Sequence, residues 1–246
     1  MISLNPELVF SLKNFHVTNT MTATLLTDAV VLFFVFYLYK KISVRPGKLQ
    51  NVVEIIFDYF YTITKDVTKD VAGNRGLNIF TWFMSFFIFI LISNFLGLLP
   101  GYSTFGMFEH GKLAPFLRAP TSDLNMTLGL AIVSLIATHA LSIKYIGIKE
   151  YLKRFFSFSP LLLFVGLLEL VSEFTKLISF SFRLFGNIFA GEIVLSKVSS
   201  FLPFVAPLPF LMLEMIVAVV QALVFAMLTM VFMSILSTPH SEQGGH

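Results

Sequence analysis

Lys197 apart, six ionisable residues fall in a stretch that is otherwise almost uniformly apolar: Glu169, Glu173, Lys176, Arg183, Glu192 and Glu214. A charge inside a bilayer costs about 2.5–3.5 kcal/mol on insertion scales and usually marks function. Carboxyl groups in a low-dielectric site can pass protons near neutral pH. An arginine in practice keeps its proton, so it can block a proton path and attract a passing carboxylate, but it cannot relay. At 100° per residue, Ser172, Lys176, Ser179, Arg183 and Asn187 form one narrow polar stripe along a helix. Glu169, fourteen positions before Arg183, falls near that stripe; Glu192, nine positions after it, points the opposite way. Glu214 and Gln221 are seven apart and share a face, which would meet Glu192 if the chain folds back on itself. The pattern reads as two half-routes for an ion, one outward through Glu192 and Glu214, one inward past Glu169, with Arg183 between them. The plainer alternative is that Arg183 forms a structural ion pair with Glu169, Glu173 or Glu192. Lys176 and Glu173, three apart, fit such a pair, or an interface position for the lysine.

The elements that must hold these residues are membrane helices. Of 246 residues 56% are hydrophobic and only 13% charged, about half the charge of a soluble domain. Disordered, fibrous and ordinary soluble classes are excluded, and the fold class expected is an all-α membrane protein. Five stretches reach the roughly 20 apolar residues a span needs: 21–39, 77–99, 124–146, 160–198 and 208–237. Residues 49–71 differ. Val52, Val53, Ile56, Phe60, Ile63 and Val67 recur at helical spacing, while Glu54, Asp58, Lys65, Asp66, Lys69 and Asp70 keep the other faces polar. That is an amphipathic interfacial helix. With residues 1–20 as an outer N-terminal segment, the whole of 1–246 reads as a single membrane domain. No cleavable signal is expected, because no basic cluster precedes the apolar run beginning near residue 22.

The fourth span is too long to stand upright. Residues 160–197 hold no internal proline, and 38 residues at 1.5 Å rise make about 57 Å of helix, against a hydrocarbon core of about 30 Å. A continuous helix would tilt by roughly 60°, far beyond the usual value near 20°. The other possibility is two shorter helices broken at Gly166 or Gly186. The continuous form is preferred, because one glycine rarely breaks an apolar helix. Pro203, Pro207 and Pro209 then turn the chain into the fifth span, making a long, strongly tilted hairpin.

Basic residues set the orientation. Lys40, Lys41, Arg45, Lys48, Lys65, Lys69, Arg75, Lys144, Lys149, Lys153 and Arg154 are eleven of the seventeen bases and lie on one side. Lys13, Lys112, Arg118 and Lys197 lie on the other. The positive-inside rule then puts the amino terminus outside and the carboxyl terminus in the cytoplasm. The net charge of +3 reflects this asymmetry and not nucleic-acid binding.

Other residues carry weaker signals. Asp123 and Asn125 open the third span, and Asp123 serves equally well as a helix-start residue or a channel residue. Asn94 is read as a helix-packing hydrogen bonder, and Ala218, Ala222 and Ala226 as a small-residue stripe for close helix contact. The five histidines, His16, His110, His139, His240 and His246, have no pair at ligand spacing, so no metal is expected. His139 is read as a packing or hydrogen-bonding residue. With no cysteine, disulfides and thiolate chemistry are excluded, and no cofactor is expected.

Local sequence around these residues resembles subunit a of the F-type ATP synthase. The resemblance is carried by Leu184, Phe185, Gly186 and Asn187 after Arg183, by Ala190, Gly191 and Glu192, by residues 94–100 (NFLGLLP) and 120–125 (PTSDLN), and by the QALVF run from Gln221. It covers about residues 20–237 and is most specific over 169–236. It implies a subunit lying beside a rotating ring of c subunits, with b-type peripheral stalk subunits, other ATP synthase subunits and membrane lipid as partners. Arg183 matches the family's essential arginine, which attracts the ring carboxylate and separates the half-channels. Asn187, Glu192, Glu214 and Gln221 match outer half-channel positions and Glu169 the inner one; Asp123 is carried with them as a pathway candidate. Proton flow would turn the ring and drive ATP synthesis elsewhere in the complex, in a bacterial plasma membrane, so the chain itself is a non-catalytic subunit. Two departures stand out: Leu177 replaces a frequent proline after Lys176, and Glu occupies both 192 and 214. Two carboxylates in one route titrate as a coupled pair.

Competing readings are weaker. A stand-alone ion channel or secondary transporter would show inverted repeats and broken helices, whereas the polar stripe here is confined to one hairpin. An intramembrane protease would need a motif such as HExxH or GxSxG, and neither is present. Na⁺ is the alternative coupling ion.

Overall fold

The computed structural model describes residues 8–12, 15–44, 46–68, 74–99, 106–109, 112–115, 117–155, 160–201 and 205–238. Strands β1 (Leu8–Leu12) and β2 (Phe15–Thr18) form an antiparallel hairpin that leads into α1 (Asn19–Lys41). Then come α2 (Lys48–Thr68) and α3 (Asn74–Leu98), and a second antiparallel hairpin of β3 (Gly106–Glu109) and β4 (Lys112–Pro115). A 3₁₀ turn at Pro120–Ser122 precedes α4 (Leu124–Ile146), α5 (Ile148–Phe155), α6 (Pro160–Phe201) and α7 (Pro207–Leu236).

Five of these helices, α1, α3, α4, α6 and α7, are long and apolar enough to cross a membrane. Each overlaps one of the five apolar stretches in the sequence, and α2 overlaps the amphipathic segment. The two hairpins and α5 were not anticipated from the sequence. Residues 69–71, Pro100, Pro203, His240 and His246 lie outside the described residues.

Helix ends follow local chemistry. The Thr18 side chain accepts from the Met21 amide and caps α1, whose last turn carries Lys40 and Lys41 at the favourable end of the helix dipole. At the end of α4 the Gly147 amide donates to the Ile143 carbonyl (3.0 Å), with Gly147 at φ 87°. A side chain is disfavoured in that left-handed conformation, so glycine permits α5 to restart at once. Pro207 opens α7, where its missing N–H costs nothing.

Helix α6 is continuous for 42 residues, through both Gly166 and Gly186. A lone glycine costs about 1 kcal/mol, less than opening backbone hydrogen bonds away from water. At 1.5 Å rise the helix is about 63 Å long. In a map of the assembled complex in lipid we expect α6 to lie about 60° from the membrane normal; an angle under about 30° would contradict this.

The chain forms two compact units. The first comprises Met1–Ile42, Phe86–Thr127 and Ser181–Val224. Within it, Asn94 Nδ2 donates to the Ala218 carbonyl (3.2 Å) and Asn94 Oδ1 accepts from Thr121 (2.7 Å). Ala218 and Ala222 are fully buried, so α3 and α7 approach closely enough for that side-chain-to-backbone bond. The second unit comprises Ser43–Ser85, Leu128–Phe180 and Phe225–His246. Its core pairs Ser134 with Thr229 (2.8 Å), has Ser142 donating to the Leu236 carbonyl (2.6 Å), and packs the Phe180 ring, tilted, against Phe225 and Phe232. Phe33, Leu167, Phe174 and Phe182 are exposed on helix surfaces, the inverse of a soluble protein and the arrangement lipid requires.

Candidate functional site

Helix α6 presents its charges in different settings. Arg183 and Asn187, one turn apart, are both exposed. Glu192, half a helical turn out of phase, is half-buried and lies 3.5 Å from Arg118 Nε. The Arg118 guanidinium is buried, donates from Nε to Ser122 Oγ (3.0 Å) and stands 5.7 Å over the Phe189 ring.

Glu214 approaches the same place from α7 and is buried. Its carboxylate presses on the α6 backbone at Gly191, where any Cβ would collide with it. Glycine at 191 leaves room for the Glu214 carboxylate in this position, which a side chain there would turn aside. The two carboxylates share a cavity of about 30 Å³, whose other walls include Asn94, Gly97, Ala119 and Ile188. That is room for ordered water between polar partners. Gly97 is needed there too, since a Cβ on it would sit 2.5 Å from the Ala119 Cβ.

The structure thus brings together Glu192 and Glu214. Asn187 and Gln221 do not line the cavity, although Gln221, two turns along α7 from Glu214, is half-buried. Asp123 is buried with both carboxylate oxygens engaged: Oδ2 accepts from Thr20 Oγ1 (2.8 Å) and Oδ1 from the Asn125 amide (2.9 Å). It starts α4 and ties it to α1. Replacing Thr20 with Val should cost about 1–3 kcal/mol by stranding one buried oxygen. The expected readout is a lower melting temperature of the purified protein in detergent.

Glu169 is half-buried in the second unit. Beyond it, Glu173 is buried and bonded to Lys176 Nζ (2.8 Å), the local pair that their spacing allows. Glu192 and Glu173 therefore have cations other than Arg183 at hand. Among the described residues no group of three or more His, Asp or Glu could hold a metal ion.

Arg118 is the residue sequence reasoning missed. It was counted only as one of the bases on the outer side. Its position just before the PTSDLN stretch was a signal, but nothing in the spacing joins residue 118 to residue 192.

Apolar helices with carboxylates and a buried arginine gathered between them define a polytopic membrane protein of the ion-handling class. Residues 21–234 match the family described as ATP synthase A chain, and the chain belongs to that family. It is similar to ATP synthase subunit a of Moorella thermoacetica, 27% identical over 95% of this chain and 97% of that one. It is 33% identical to the sodium ion specific ATP synthase subunit a of Propionigenium modestum, over 92% of this chain and 76% of the relative. The subunit a of Geotalea daltonii is 30% identical over 85% of this chain and 83% of its own length.

Proposed function

We propose that this multi-pass membrane protein is the ion-translocating stator subunit of a rotary ATP synthase, seated against a ring of c subunits and held by b-type stalk subunits. Glu192 and Glu214, with Asn187, Gln221 and Asp123 along the way, form the outer half-channel, and Glu169 belongs to the inner one. Arg183 separates them. The amino terminus lies outside and the carboxyl terminus in the cytoplasm of a bacterial plasma membrane, and the whole chain acts as one membrane domain.

The observation that supports this best is the division of charge on α6: Arg183 on an exposed face, Glu192 turned to a cavity with Glu214. An exposed arginine on an apolar helix is unfavourable against lipid and favourable against a protein surface carrying carboxylates. A ring carboxylate arriving beside Arg183 is stabilised in its ionised form. It can give its proton to one half-channel and take one from the other, but Arg183 cannot hand a proton across.

The coupling ion proposed is H⁺, with Na⁺ as the alternative because one relative is described as sodium specific. ATP-driven acidification by the purified complex in liposomes tests this. Acidification should proceed in Na⁺-free buffer; a strict requirement for Na⁺ would reverse the assignment. Ion conduction by the isolated chain alone, without other subunits, would instead favour a stand-alone channel.

A further inference from the structure

His139 on α4 lies in the second unit and takes no part in the half-channels above, and its two ring nitrogens face groups on two other helices. Nδ1 is hydrogen-bonded to the Tyr151 hydroxyl of α5 (3.0 Å). Nε2 stands 3.8 Å from Glu173 Oε2 of α6, whose other oxygen is held by Lys176 Nζ (2.8 Å). Glu169, one turn earlier on α6, is also within electrostatic range of the imidazole. Beside Glu173 and Lys176 lies a small cavity of about 10 Å³ lined by the hydroxyl-bearing Ser134, Thr138 and Thr229, about the room one water needs. Tyr151 is half-buried on the short helix that carries the basic residues Lys149 and Lys153.

We propose that Glu173, His139 and Tyr151 form a proton relay that completes the inner half-channel, a deepening that rests on the stator reading above. A proton arriving on the Glu173 carboxylate from the half-channel is taken by the imidazole at Nε2, which restores the carboxylate paired with Lys176 and makes the ring imidazolium. It then gives its Nδ1 proton to the Tyr151 oxygen while the tyrosine O–H proton passes to water, so the imidazole is neutral again with its tautomer exchanged. A ring flip, which exchanges the positions of the two nitrogens, resets it. The 3.8 Å step exceeds a direct hydrogen bond, and a water or a small side-chain rotation closes it. Histidine is the side chain suited to this, since each nitrogen can donate or accept near neutral pH. A purely structural His139 would need only one of these partners.

The test uses the complete ATP synthase in inverted vesicles, with subunit content checked for each variant. His139→Ala should lower ATP-driven acidification roughly tenfold or more, and added imidazole should restore much of it. Glu173→Gln should fall comparably and be insensitive to imidazole. Tyr151→Phe should give a smaller loss. If His139→Ala fails to assemble, His139→Gln carries the same expectation without the cavity. Assembled His139 and Glu173 variants that pump like wild type overturn the relay, and so does a loss that imidazole does not restore, which would make His139 a packing residue. In either case reduced pumping by Glu192→Gln leaves the stator reading intact, whereas wild-type pumping by Glu192→Gln and Glu214→Gln as well would defeat that reading too.

Discussion

Replacing Arg183 with Ala should abolish ion-driven ATP synthesis while the complex still assembles. Arg183 is exposed on α6, so its removal leaves no cavity in the fold and the loss should be functional. Without a fixed positive charge, an ionised ring carboxylate has no partner at the stator, and protons can pass between the half-channels without turning the ring. Arg183→Lys should rescue poorly, because an ammonium in an apolar setting can lose its proton and lacks the guanidinium fork. The measurement is ATP synthesis under an imposed gradient together with ATP-driven pumping in the same vesicles. Normal pumping by the alanine variant would sink the gate role.

The second large effect belongs to the carboxylate pair. Glu192→Gln and Glu214→Gln should each lower coupled flux by roughly a hundredfold, the lower end of what a positioned proton-transfer group contributes. The double variant should be worse than either. Glutamine keeps the shape of the side chain, so the tight fit of position 214 against Gly191 survives and assembly is preserved. Because both groups line one cavity, the two losses should not simply add. A double variant that pumped like wild type would show that the outer route runs elsewhere.

The helices were legible because their signal is local. Low charge set the solvent, length set the spans, and α4 occupies the same residues, 124–146, that hydropathy and flanking bases defined. The continuity of α6 followed from the lack of an internal proline, since backbone hydrogen bonds away from water outweigh the penalty of Gly166 or Gly186. The strands 8–12 with 15–18 and 106–109 with 112–115 were missed because short hairpins in connecting segments carry no lasting alternation. Helix α5, eight residues rich in charge, was too short to stand out from a basic loop.

Phase along one helix was also readable: at 100° per residue Glu192 had to point away from Arg183, and Lys176 could reach Glu173. What lies opposite a side chain on another helix was not. That Arg118 meets Glu192 and that Asp123 is tied to Thr20, 103 residues away, depends on contacts between helices. The sequence alone determined the membrane class, the spans and the inventory of charges, because hydrophobicity and helical period are properties of neighbours in the chain. Only the tertiary structure decided which cation neutralises which carboxylate and which glycine leaves room for it, because Coulomb attraction and steric contact act through space over a few ångströms.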